Sequence, residues 1–119
     1  MRPPYTAGEL KQEIVKIYNT INQEIFGIGI TSQKIDIAGD KVYISATHKR
    51  IPAMKILDKD HRTLTASVDM LLMEENKRLL REQLERHLGL DVKLIHKDYD
   101  YRTEYSGTVI ILGGNPIKT

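Results

Sequence analysis

From Leu10 to Ile25 the apolar residues Leu10, Ile14, Ile17, Tyr18, Ile21 and Ile25 recur every three or four positions, while Lys11, Glu13, Lys16, Asn19 and Gln23 fall mostly elsewhere. That spacing predicts a helix with one face toward a core. It follows a proline-marked lead, Arg2 to Tyr5, and begins at Thr6-Ala7-Gly8-Glu9, a capping box in which each side chain satisfies a free backbone N–H. Phe26-Gly27-Ile28-Gly29-Ile30 closes it, because glycine adopts the left-handed conformation past a helix end without steric cost. The period then shortens to two. Gln33 to Ile37 and Lys41 to Thr47 are β-rich runs around Ala38-Gly39-Asp40, which predicts a hairpin with Val42, Ile44 and Ala46 facing inward. Pro52 suits the first turn of a short helix over Ala53 to Lys59.

The longest helical pattern runs from Leu64 to Leu88, and its apolar residues change direction. Leu64, Val68, Leu71 and Leu72 centre on one side, whereas Leu79, Leu80 and Leu84 centre about 120° away. Glu74, Arg78, Glu82 and Arg86 form an i,i+4 ladder on the side that the first half leaves apolar. Met70 and Met73 share the direction of Leu80 and Leu84. One rod must then serve two neighbours, or break near Glu75 and Asn76. After Leu88-Gly89, Asp91 to Lys97 and Gly107 to Leu112 predict a second hairpin joined by Asp98 to Ser106, and Gly113-Gly114-Asn115-Pro116 ends the fold. Val109 to Leu112 is apolar on both faces, as a central strand would be.

Two helix-and-hairpin halves, about 6–47 and 64–113, make a weak internal repeat within a single domain, 1–119. The expected class is α+β: two layers, a four-stranded mainly antiparallel sheet with helices on one face, in the order α-β-β-α-α-β-β.

At 119 residues, 40% apolar and 29% charged, the chain has a globular balance. With no cysteine, disulfides and thiolate metal sites are excluded. The N-terminal residues lack a signal-like apolar core, and no run approaches the about 18 apolar residues of a membrane span. The expectation is a cytoplasmic protein without direct membrane insertion. The net charge of +2 is small, but residues 48–62 carry an excess of three positive charges. His48, Lys49 and Arg50 open that segment, with Lys55 and Arg62 further along. Basic groups at a strand end beside a helix N-terminus suit an anion or an acidic partner. Read this way, His48, Lys49 and Arg50 occupy one exposed edge and contribute to binding rather than stability. The basic face is too small, and too poor in aromatics, for nucleic acid.

Asp98 and Asp100, two apart in extended chain, would face the same way, but a turn with Asx-type hydrogen bonds is the simpler reading. Tyr99 lies between them, and with Tyr101 and Tyr105 could cover a partner surface. His48, His61, His87 and His96 have no ligand spacing, and no cofactor or metal is expected.

Taken together, Phe26-Gly27-x-Gly29, Gly39-Asp40-x-Val42, His48-Lys49-Arg50-x-Pro52-Ala53, Val68-Asp69, Glu75-Asn76-Lys77 and Lys97-Asp98-Tyr99-Asp100 resemble a bacterial family labelled MpsC-like. The label comes from a subunit assigned to a sodium-translocating, membrane-potential-generating system. The resemblance runs from about Gly8 to Leu112, with Ile30 standing where members often carry proline after the paired glycines. It implies a non-enzymatic accessory or regulatory protein, acting by contact with subunits of an ion-translocating complex. The alternative is a small-anion or nucleotide binder, with or without catalysis, built on the basic segment 48–62 and the Asp98-Tyr99-Asp100 turn, whose residues are candidates for partner or anion binding with those of the basic segment. If Met73, Leu80 and Leu84 face the sheet, a straight helix turns Leu64, Val68, Leu71 and Leu72 outward, and the expected cover is a second chain in a homodimer.

Overall fold

The computed structural model describes residues 5–27 and 30–117. The predicted elements appear in the predicted order: α1 (Ala7–Phe26), β1 (Ile30–Ala38), β2 (Lys41–His48), α2 (Pro52–Asp58), α3 (Arg62–Leu88), β3 (Val92–Tyr99) and β4 (Tyr105–Leu112). The Thr6–Glu9 capping box forms, and Gly27 caps α1 at φ 69°. Of the segment expected to close α1, Ile28 and Gly29 lie outside the described residues, as do Arg2 to Pro4.

The sheet is antiparallel throughout, in the order β1-β2-β4-β3. Each hairpin therefore meets the other through its second strand, which makes β4 central and accounts for its two apolar faces. On the covered face Val42, Ile44 and Ala46 of β2 and Ile110 and Leu112 of β4 are buried, and they join Leu10, Ile14, Tyr18 and Ile21 of α1 and Leu80, Leu84 and Leu88 of α3 in one core. The opposite face is open. Tyr43, opposite Val109, and Leu94, opposite Ile111, lie on it, and Tyr43 and Leu94 are exposed. The chain does not stop at Pro116: Tyr5 accompanies Ile117 in a parallel bridge and donates its hydroxyl to the Leu88 carbonyl at 2.8 Å, tying both ends to the end of α3.

Of the two geometries open for the long helix, the unbroken one is adopted. α3 is continuous over 27 residues, about 40 Å at 1.5 Å per residue, in a molecule 52 Å long. Its buried positions, Thr65, Asp69, Asn76, Leu80, Leu84 and Leu88, form a single stripe. The stripe winds slowly around the helix, by about 80° from its first half to its second, and changes chemistry, polar in the first half and apolar in the second. Leu64 and Leu71 face away from it and are exposed; Met70, expected on the side of Leu80 and Leu84, is exposed as well, because at its level the stripe has not yet turned that way.

Truncation should separate the two faces of the sheet. Leu84→Ala, at a fully buried site, is expected to cost about 2–5 kcal/mol in urea unfolding. Leu94→Ala on the open face should cost less than about 1 kcal/mol. Comparable losses at both sites would show that the open face is also covered.

Candidate functional site

Directly after β2 the chain turns inward. Arg50 is only 6% exposed, and its guanidinium forks onto two carboxylates. Nε and Nη2 donate to Asp58 at 3.0 and 2.9 Å, while Nη1 and Nη2 donate to Asp69 at 2.6 and 3.0 Å. Asp58 ends α2 and Asp69 lies in the buried stripe of α3, so one side chain fastens the strand exit to both helices. Arg62 adds a donor to Asp69 at 3.0 Å and to Thr65 at 3.1 Å. The Tyr101 ring lies flat on this cluster, 3.6 Å from the Arg62 guanidinium carbon, and Tyr99 approaches Arg50 at 5.8 Å. The Arg50 amide donates to the Glu104 carboxylate.

Electrostatics follow from this geometry. The Arg50 hydrogen bonds hold Asp58 down at about 2, against an ordinary 3.8. Burial opposes charge on Arg50, but the bonds to Asp58 and Asp69 outweigh it and raise its pKa.

Beneath this cluster lies a second one, of which only His48 and Tyr99 were candidates from the sequence. Lys97 and Tyr99 continue the inward register of Ile95 on β3, opposite Thr108 and Ser106 of β4. The Lys97 ammonium donates to the Tyr18 hydroxyl at 2.7 Å, to Ser106 Oγ at 3.0 Å and, more distantly, to Thr108 Oγ1 at 3.4 Å. Tyr18 is fully buried, and its hydroxyl lies 3.3 Å from His48 Nε2. Because Lys97 has only protons to offer, Tyr18 accepts from it and donates its own proton to a neutral His48. Burial, followed by the Lys97 charge, pushes the His48 pKa down to about 4. The rings of Tyr18, Phe26 and Tyr99 stand edge-on around the imidazole.

Two fully buried amides complete this layer. Asn22 Nδ2 donates to the Tyr18 carbonyl at 2.7 Å, and its Oδ1 accepts from Asn76 Nδ2 at 3.3 Å. Asn76 Oδ1 is left without a partner.

The expectation of a shared exposed edge for His48, Lys49 and Arg50 is corrected. Only Lys49 is exposed, His48 is half-buried and Arg50 is buried, because the carboxylates that neutralise Arg50 come from other elements. Lys55 remains exposed on α2. Asp98 and Asp100 do not converge on the cluster. Asp98 Oδ1 accepts from the Tyr99 amide at 2.9 Å, and Asp100 Oδ1 accepts from the amides of Arg102 and Thr103 at 2.8 and 3.3 Å, an Asx turn that shapes the β3–β4 connection. Lys97, Asn22 and Asn76 were missed, although a signal existed. Asn22 follows Tyr18 by four, Asn76 precedes Leu80 by four and Lys97 follows Ile95 by two, so each is polar at a core position of its element.

A family model described as "Na+-translocating membrane potential-generating system (MpsC)" matches residues 6–114, nearly the whole chain. No curated protein and no solved structure matches it.

Arg50→Ala leaves Asp58 and Asp69 short of a buried cation and is expected to destabilise the fold by about 3 kcal/mol. Lys49→Ala should stay within about 0.5 kcal/mol. Equal effects in urea titrations would remove Arg50 from its structural role. A pH series reads the inner cluster. Above pH 6.5, His48 is neutral whether the chain is folded or not; between 6.5 and about 4, the unfolded chain takes up a proton that the folded one refuses, so stability declines as pH falls. His48→Gln should flatten that part of the midpoint-against-pH curve.

Proposed function

Because the chain belongs to the MpsC family, whose description names a Na+-translocating system that generates membrane potential, we propose that it is an accessory or regulatory subunit of such a system. On this reading it is non-enzymatic and acts by protein–protein contact. Among the described residues no helix is long and apolar enough to cross a membrane. The proposal therefore leaves the ion pathway to other subunits and gives this chain a peripheral place.

The observation that carries the reading is the outer face of α3. Leu64 is 54% exposed and Leu71 is 70% exposed, with the half-buried Val68 between them; Leu72, expected on the same face, is half-buried and lines a cavity with Arg50 and Asn76. Leu64, Val68 and Leu71 stand at i, i+4 and i+7, the repeat of a helix-pairing seam. Such a seam is self-complementary about a two-fold axis. We assign it to a second copy of this chain, a homodimer in which two α3 helices pack. Lys49 and Lys55, beside the same half of α3, then remain to meet acidic surfaces of the other subunits, whereas Arg62 is engaged by Asp69 and Thr65 and covered by Tyr101. This reading leaves Arg50 out of the contact surface.

Sedimentation velocity tests the dimer: the wild-type chain is expected near twice its 13.7 kDa, and Leu64→Glu with Leu71→Glu should bring it to the monomer mass. A wild-type monomer throughout the micromolar range would overturn the dimer. Cross-linking in cells tests the accessory role separately. Integral subunits of an ion-translocating complex should be recovered with the wild type and depleted with Lys49→Glu/Lys55→Glu; their absence would overturn that role.

A further inference from the structure

Between the Arg50 cluster and the inner layer is a cavity of about 40 Å³, room for about three ordered waters. Its wall combines three kinds of surface. Phe26, Met54 and Met73 are apolar. Lys97 brings a half-buried ammonium whose hydrogen-bond acceptors, Tyr18, Ser106 and Thr108, are all neutral oxygens. Among the described residues, no carboxylate forms an ion pair with it, in contrast to Arg50, which also reaches the wall but is neutralised by Asp58 and Asp69.

Asn76 is the third kind. It lines the cavity, is fully buried, and has an acceptor, Oδ1, with no partner. Its amide cannot be turned over to relieve this. Asn22 Nδ2 is committed to the Tyr18 carbonyl, so Asn22 presents an oxygen to Asn76 and requires an N–H there. A buried acceptor without a donor is destabilising, because it has lost its water without gaining a partner. Water alone would satisfy Asn76 but leave the Lys97 charge uncompensated, and the apolar wall offers water few partners.

We propose that this cavity binds a small hydroxycarboxylate, with its carboxylate on the Lys97 ammonium, its hydroxyl donating to Asn76 Oδ1, and its short carbon chain against Phe26, Met54 and Met73. An ammonium-bearing ligand is disfavoured, because its charge would sit beside Lys97. The site does not include Leu64, Val68 or Leu71, and its binding does not depend on the dimer or on a membrane partner.

The test titrates the full chain with lactate, propionate and lactamide, following the methionine methyl resonances and the Asn76 side-chain amide by NMR. Lactate should give saturable shifts at Met54, Met73 and Asn76. Propionate, which lacks the hydroxyl, should bind about fivefold more weakly, and lactamide, which lacks the charge, at least about tenfold more weakly. Lys97→Met should abolish binding. Should that variant not fold, Asn76→Asp, which puts a negative charge beside the bound carboxylate, should weaken lactate at least about tenfold. Three results would each overturn the proposal: no saturable shift up to about 50 mM lactate, well above a millimolar Kd; equal affinity for lactate and lactamide; or affinity unchanged in the folded variant. The cavity would then hold ordered water only.

Discussion

The forked contact of Arg50 with Asp58 and Asp69 holds the polar end of this molecule together. It draws α2 and the first half of α3 onto the end of β2, beyond the main apolar core. The guanidinium can do this because it is planar and presents donors along two edges, so that two carboxylates can each be met by a pair of bonds. Burial makes the contact costly to break from one side only. Tyr99 and Tyr101 lie over the arginines and shield the cluster from water, which strengthens it and joins the β3–β4 connection to the same assembly.

The two layers share a gradient. Along β2 the inward residues run Val42, Ile44, Ala46, His48; along β4, read backwards, they run Leu112, Ile110, Thr108, Ser106. On β3, Val92 and Ile95 give way to Lys97 and Tyr99. Leu10 and Ile14 of α1 lead to Tyr18 and Asn22, and Leu88, Leu84 and Leu80 of α3 lead back to Asn76 and Asp69. All of these elements turn polar toward the same end, so the interior is a hydrophobic core at one end and a hydrogen-bonded network at the other. The first supplies stability by burial. The second fixes which side chains meet, and its incomplete satisfaction at Asn76 leaves room for a ligand.

The same gradient accounts for the outer face of α3. A helix whose buried stripe is polar must place its leucines elsewhere if it has them, and here they face away from the sheet. A stripe of that kind is poorly suited to a monomer in water. It is the surface that the proposed pairing of two α3 helices would cover.

Much of this architecture could be read in the order of residues. Periodicity set out the two long helices and the strands, while Pro52 marked the short helix and glycine the ends at Gly27 and Gly89, because these are local properties of side-chain direction and backbone sterics. The directional change within the long helix was legible as well, including the outward turn of Leu64 and Leu71. Strand order was not, since hairpin-to-hairpin pairing depends on which edges remain free after folding. Nor was the fate of the basic segment. His48, Lys49 and Arg50 look alike in sequence, but Asp58 lies eight residues beyond Arg50 and Asp69 nineteen, and only the packing of α2 and α3 brings both to one guanidinium while leaving Lys49 in water. The cavity followed the same rule: its members come from α1, β2, α2, α3, β3 and β4, and a polar residue at a core position shows its role only when the side chains opposite it are known.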